Sequence, residues 1–175
     1  MTRLSLFLGA IALWLASAGF ALGEGLGPNK QVFGGQTLTC RDFRGTPVRF
    51  VEMTELGDVG RALIITRMPV IALDPDRLAK LPPALQIFFY EHECAHHMLG
   101  HMFNRTLTSE TEADCWSINF GRDNGLFTRA DVVDFAPYLA KSKGSPFGHL
   151  PGPERAAFLL SCFDKADSSQ AALGR

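Results

Sequence analysis

His92-Glu93-Cys94-Ala95-His96 sets two imidazoles and a carboxylate within five positions of a 175-residue chain. On a helix, residues four apart share a face, so His92 and His96 can offer ring nitrogens to one zinc ion (Zn2+). Glu93 flanks them and can take a proton from a water that such an ion activates. A lone histidine reads as a satisfied core residue; two histidines and a glutamate at this spacing do not. The third ligand discriminates. A metzincin needs Gly three residues and His six residues beyond the second metal histidine, where this chain has Leu99 and Met102. His101 falls one place short, so His97 and His101 are expected to hydrogen-bond around the site or to lie on the surface. A carboxylate from a following helix is the other solution, and Ser109-Glu110-Thr111-Glu112-Ala113-Asp114 supplies it. Glu110 as third ligand leaves a fourth position open, and Asp114, four residues on, can orient a ligand histidine. The bland reading of the same residues is a solvated acidic helix start favoured by the helix dipole. Taken with the histidines, the ligand reading is preferred.

Two helices must therefore carry the site. Pro82-Pro83 opens a helix over about residues 84–103 that is apolar on both sides, the pattern of a buried helix. Cys94 is about 200° around that helix from either histidine, so its sulfur faces away from the metal. A second helix is expected from Ser109 to about Arg122, with Ser109 and Glu112 fitting a capping box and Asn124-Gly125 beyond its end. Thr128 with Asp131 caps a third helix, interrupted at Pro137. Residues 141–151 form a loop containing His149, and a final helix runs over 153–163. Before these helices, residues 38–43, 48–53, 62–66 and 69–73 are short, rich in β-branched or large apolar residues and separated by turn signals. They predict a small antiparallel sheet. Asp74 caps a short helix with Pro75 in its first position.

Length suits one domain, and the formal net charge of −1 with no basic run removes the electrostatic case for a nucleic-acid partner. Arg3 precedes an uncharged apolar run over residues 4–20, followed by the small-x-small patterns Ala16-Ser17-Ala18 and Gly19-Phe20-Ala21. Residues 1–21 are expected to be a cleaved signal peptide, the alternative being a retained membrane anchor. Residues 22–165 then form the domain and 166–175 a fraying tail, with no stable membrane span after cleavage and a periplasmic or secreted location. The four cysteines, Cys40, Cys94, Cys115 and Cys162, suit two disulfides in an oxidising compartment, with three pairings open. Four buried free thiols are the alternative.

His92-Glu93-Cys94-Ala95-His96 followed by Glu110-Thr111-Glu112-Ala113-Asp114 resembles the His-Glu-x-x-His and Glu-x-x-Ala-Asp pair of the M48-type gluzincin peptidases. Gly148-His149-Leu150-Pro151-Gly152-Pro153-Glu154-Arg155 is similar to a later His-Pro segment of that family that ends in Arg. The resemblance implies Glu110 as third zinc ligand, His149 as a gating or oxyanion-stabilising residue, and a salt bridge between Asp114 and Arg155. It also implies a zincin-like α+β fold: a small antiparallel sheet on a central active-site helix, plus further C-terminal helices. The strand over 69–73 would be the edge beside that helix, where an extended peptide could add as a strand. Here the link from His96 to Glu110 is shorter than is usual in that family, and Leu150 stands where Pro is expected. The implied activity is a zinc-dependent endopeptidase acting on peptides or unfolded proteins, with Glu93 as base. The rival expectation, drawn from the small size, is a non-catalytic zinc-stabilised binding module or protease-like chaperone whose metal is closed by His149.

Overall fold

A helix that is apolar on nearly every side has to be surrounded. In the computed structural model, which describes residues 29–146 and 148–165, α2 (Pro83–Met98) is that helix: Leu85 and every residue from Ile87 to His97 are buried. The expected signal peptide and tail lie outside the described residues.

On one side of α2 stands a three-stranded sheet, β3 (Arg49–Glu52), β4 (Gly60–Ile65) and β5 (Met68–Leu73), in the order β3-β5-β4. β1 (Lys30–Phe33) and β2 (Gln36–Thr39) form a separate antiparallel hairpin. The sheet departs from the expectation in two ways. It is mixed, because β3 runs parallel to β5 while β4 runs antiparallel to it. And β5 is the central strand: Thr66 and Arg67 at φ 46° and 68° make a tight hairpin that lays β4 along its other side. That turn conformation matches the right-handed twist of the strands it joins. Five of the six β5 residues are buried, as a central strand requires. The edge strand beside α2 is therefore β4, not residues 69–73.

The other side of α2 is covered by helices: α3 (Ser109–Asp123), α4 (Arg129–Asp134), α5 (Ala136–Leu139) and α6 (Gly152–Asp164), with the one-turn α1 (Pro75–Leu78) between sheet and bundle in sequence. The mixed α+β architecture, with small sheets and several helices, is as expected. Asp74 caps α1 by accepting from the N–H groups of Asp76 and Arg77, and Thr128 with Asp131 forms the reciprocal box that starts α4. The box expected at Ser109 does not form. Thr108 is the N-cap, Ser109 Oγ accepts from the Thr106 N–H, and the Glu112 carboxylate is engaged elsewhere. α2 stops five residues before the expected end. Gly100 adopts φ 75°, the Gly100 N–H bonds to His97 O, and the His101 N–H bonds back to His96 O at 2.9 Å. This pair of bonds is a Schellman motif, which glycine permits because it has no Cβ to clash in the left-handed region.

Two disulfides select one of the three pairings: Cys40–Cys94 and Cys115–Cys162. The first ties the face of α2 opposite the histidines to the strand region, and the second ties α3 to α6. Bonded pairs of this kind fit an oxidising, exported environment. Among the described residues no helix is long and apolar enough to cross a membrane.

Candidate metal centre

One turn of α2 separates His92 from His96, and α3 returns beside α2 with Glu110 in its first turn. The three meet. His92 Nε2 and His96 Nε2 are 3.2 Å apart, and Glu110 Oε2 lies 3.3 Å from the first and 3.4 Å from the second. All three residues are buried, and their ligand atoms fall within 4.8 Å of one another. Two imidazole nitrogens and one carboxylate oxygen converging on one point are a donor set suited to zinc, and the group could hold such an ion.

The electrostatics point the same way. Burial opposes charge on Glu110, but hydrogen bonds from His149, His92 and His96 outweigh it and hold the carboxyl far below its usual range. Burial also opposes the charged form of His92, yet Asp114 and Glu110 push it up to about 9. His96 is driven down to about 4, chiefly by burial. Glu110 thus stays ionised and His96 neutral, the protonation states in which a carboxylate and an imidazole can ligate a metal.

Asp114 is one helical turn beyond Glu110. His92 Nδ1 lies 2.9 Å from Asp114 Oδ1, and Arg155 of α6 forks onto the same carboxylate, Nη2 to Oδ1 at 2.6 Å and Nε to Oδ2 at 2.9 Å. Burial would raise the Asp114 carboxyl, but Arg155 and His92 outweigh it and hold it at about 2. The Arg155 guanidinium sits over the Phe88 ring at 5.6 Å, so the ion pair is walled by apolar rings.

Glu93 leaves α2 toward β4 rather than toward α3. Its carboxylate accepts from the Ala62 N–H, and burial, the largest influence, lifts its pKa to about 7. Gly60 makes room for it: a Cβ there would stand 2.9 Å from Glu93 Cγ and Oε1. The loop before α6 brings His149 over the opposite side, with Nε2 at 2.5 Å from Glu110 Oε2. Gly148 allows this approach through its φ of 109° and its closeness to Leu107 O. A cleft of about 570 Å³ opens over these groups, lined also by Asp58, Arg61, Met102 and Arg105.

No family model, curated protein or solved structure matches this chain.

Every residue singled out from the sequence, namely His92, Glu93, His96, Glu110, Asp114, His149 and Arg155, comes to this one place. Arg105 is a partner that the sequence did not point to, whereas His97 and His101, expected around the site or on the surface, both lie around it. Arg105 Nη2 bonds Glu110 Oε1 at 2.6 Å, leaving Oε2 to face the histidines. His97 is buried, and its Nε2 donates to Val70 O of β5 at 3.0 Å, tying the site helix to the sheet. His101 is buried too, against His96. The density of histidines around the motif signalled His97 and His101, and nothing in the sequence signalled Arg105.

Proposed function

We propose that this protein is a zinc-dependent endopeptidase of an exported compartment, with a zincin-like arrangement of sheet edge, site helix and returning helix. The observation that carries the reading is the joint placement of a three-atom ligand set and a separate buried carboxylate, Glu93, at the head of one cleft. His92, His96 and Glu110 would hold the ion, which supplies Lewis acidity to water and to a peptide carbonyl. Three protein ligands, rather than four, are the number associated with catalytic zinc.

The chain's own groups do the rest. Asp114 accepts from His92 Nδ1, which leaves His92 Nε2 as the ligand nitrogen. Glu93, with burial holding it near neutral pH, takes a proton from the attacking water and returns it to the leaving amine nitrogen. His149 Nε2 can donate to a developing oxyanion when it leaves Glu110. The edge of β4 borders the cleft through Gly60, Ala62 and Leu63, so an extended peptide can lie along it as an added strand. Peptide and unfolded-protein segments are the substrates this edge suits.

Glu110→Ala should remove both bound zinc and hydrolysis, read as zinc per chain and casein turnover. Full zinc occupancy in that variant would reject Glu110 as ligand. Gly60→Ala tests the base from the other side. The added methyl crowds Glu93 and Leu73 Cδ2, and a displacement of about 1 Å is worth on the order of 10²-fold in rate. Turnover should fall by about that factor with zinc content unchanged; unaltered turnover would mean that Glu93 need not stand where it does.

The second reading is a non-catalytic zinc-stabilised binding module, favoured by the contact of His149 with Glu110. His149 would then close the metal as a fourth protein ligand. Zinc-dependent turnover of any peptide decides against it.

A further inference from the structure

His96 Nδ1, the ring nitrogen turned away from Glu110, lies 3.0 Å from His101 Nδ1. The other nitrogen of His101, Nε2, lies 3.1 Å from Glu112 Oε2, and Glu112 Oε1 accepts from Thr108 Oγ1 at 2.6 Å. We propose that His101 and Glu112 are positioning residues for the metal ligand His96, acting as a hydrogen-bonded chain that fixes its tautomer and ring plane. This rests on reading His92, His96 and Glu110 as metal ligands.

The bonding pattern has one consistent solution. If His96 Nε2 offers its lone pair to a metal, the ring proton sits on Nδ1. His96 Nδ1–H then donates to His101 Nδ1, which must be a bare acceptor. The His101 proton is therefore on Nε2, where it donates to the Glu112 carboxylate. No atom in the chain is left with two donors or two acceptors facing each other. His92 has the same arrangement in shorter form, with Asp114 directly on its Nδ1. Each ligand histidine thus has its own carboxylate, one in direct contact and one through an intervening imidazole.

The backbone builds this second chain deliberately close. The Schellman turn at Gly100 folds the His101 N–H onto His96 O, so the two rings meet edge-on, with centroids 5.2 Å apart and planes inclined at 66°. His101 is buried, whereas the Glu112 side chain is 52% exposed. The chain therefore runs from a buried ligand to the surface, unlike the enclosed Asp114–Arg155 branch.

Zinc affinity of the full chain, read by competition with a chelating dye, tests the proposal together with ¹⁵N-histidine spectra of the zinc-loaded parent. His101→Leu should weaken zinc binding by about 10–100-fold. His101→Asn, which keeps an acceptor oxygen near the place of Nδ1, should recover much of that loss. Glu112→Ala, at a half-exposed site that tolerates truncation, should weaken zinc binding less than His101→Leu does. The spectra should show His101 as the Nε2–H tautomer. An Nδ1–H tautomer at His101, or parental zinc affinity in both His101→Leu and Glu112→Ala, would overturn the chain while leaving the metal site standing. A parent that takes up no zinc would instead remove the ligand reading and the chain with it. Should His101→Leu fail to fold, the parent spectra and Glu112→Ala still decide.

Discussion

Glu93→Gln should bind zinc as the parent does and hydrolyse casein about 10²–10⁴-fold more slowly, the range that a positioned acid–base group contributes. Glutamine has the size and shape of glutamate, and its side-chain oxygen can still accept from the Ala62 N–H that holds Glu93 in place. What the amide lacks is a lone pair able to take a proton and give it back. The substitution therefore separates chemistry from architecture. Zinc content, far-ultraviolet circular dichroism and thermal midpoint should stay parental while turnover collapses. Equal turnover in parent and variant would sink Glu93 as the base.

Arg155→Met should produce the largest loss of stability. Arg155 is buried, and both Asp114 oxygens receive bonds from it. Removing the cation leaves the buried Asp114 carboxylate with its His92 contact but without its guanidinium, and breaking a buried pair from one side costs about 3–5 kcal/mol. Denaturant titration with both disulfides intact reads that loss; a change under about 1 kcal/mol would show that the pair is dispensable. Removing both charges, Arg155→Met with Asp114→Leu, should recover much of the stability, because no orphaned charge remains. Zinc affinity should nonetheless stay about 10–100-fold low, since His92 has lost its Nδ1 partner. The pH dependence follows from Asp114. Its carboxyl titrates at about 2 in the fold, below the ordinary value of about 3.9. The pair's contribution is thus fully present above about pH 4 and is lost as pH falls toward the folded value.

The candidate ligand set was legible because helix periodicity turns spacing into direction. A spacing of four from His92 to His96, and again from Glu110 to Asp114, fixes which side chains share a face. The same periodicity hid the contact of His101 with His96. Continued as a helix, five residues would put it about 140° away from His96, and only the Gly100 turn brings it back. That return depends on two specific backbone bonds, Gly100 N–H to His97 O and His101 N–H to His96 O. Pairing of β3 with β5 is set by contacts distant in sequence, which short apolar runs cannot encode, so the central strand was taken for the edge. Cys94 facing away from the His92–His96 face was readable from rotation alone, whereas its partner, Cys40, required the tertiary fold. Arg105 sits in the link between helices, where no period applies.

The most direct test of the zinc-peptidase reading puts zinc content and casein turnover side by side in parent, Glu93→Gln and Glu110→Ala. The expected result is one zinc per chain with turnover in the parent, one zinc without turnover in Glu93→Gln, and neither in Glu110→Ala. A parent that holds zinc but cleaves nothing, or cleaves equally well after Glu93→Gln, would contradict it.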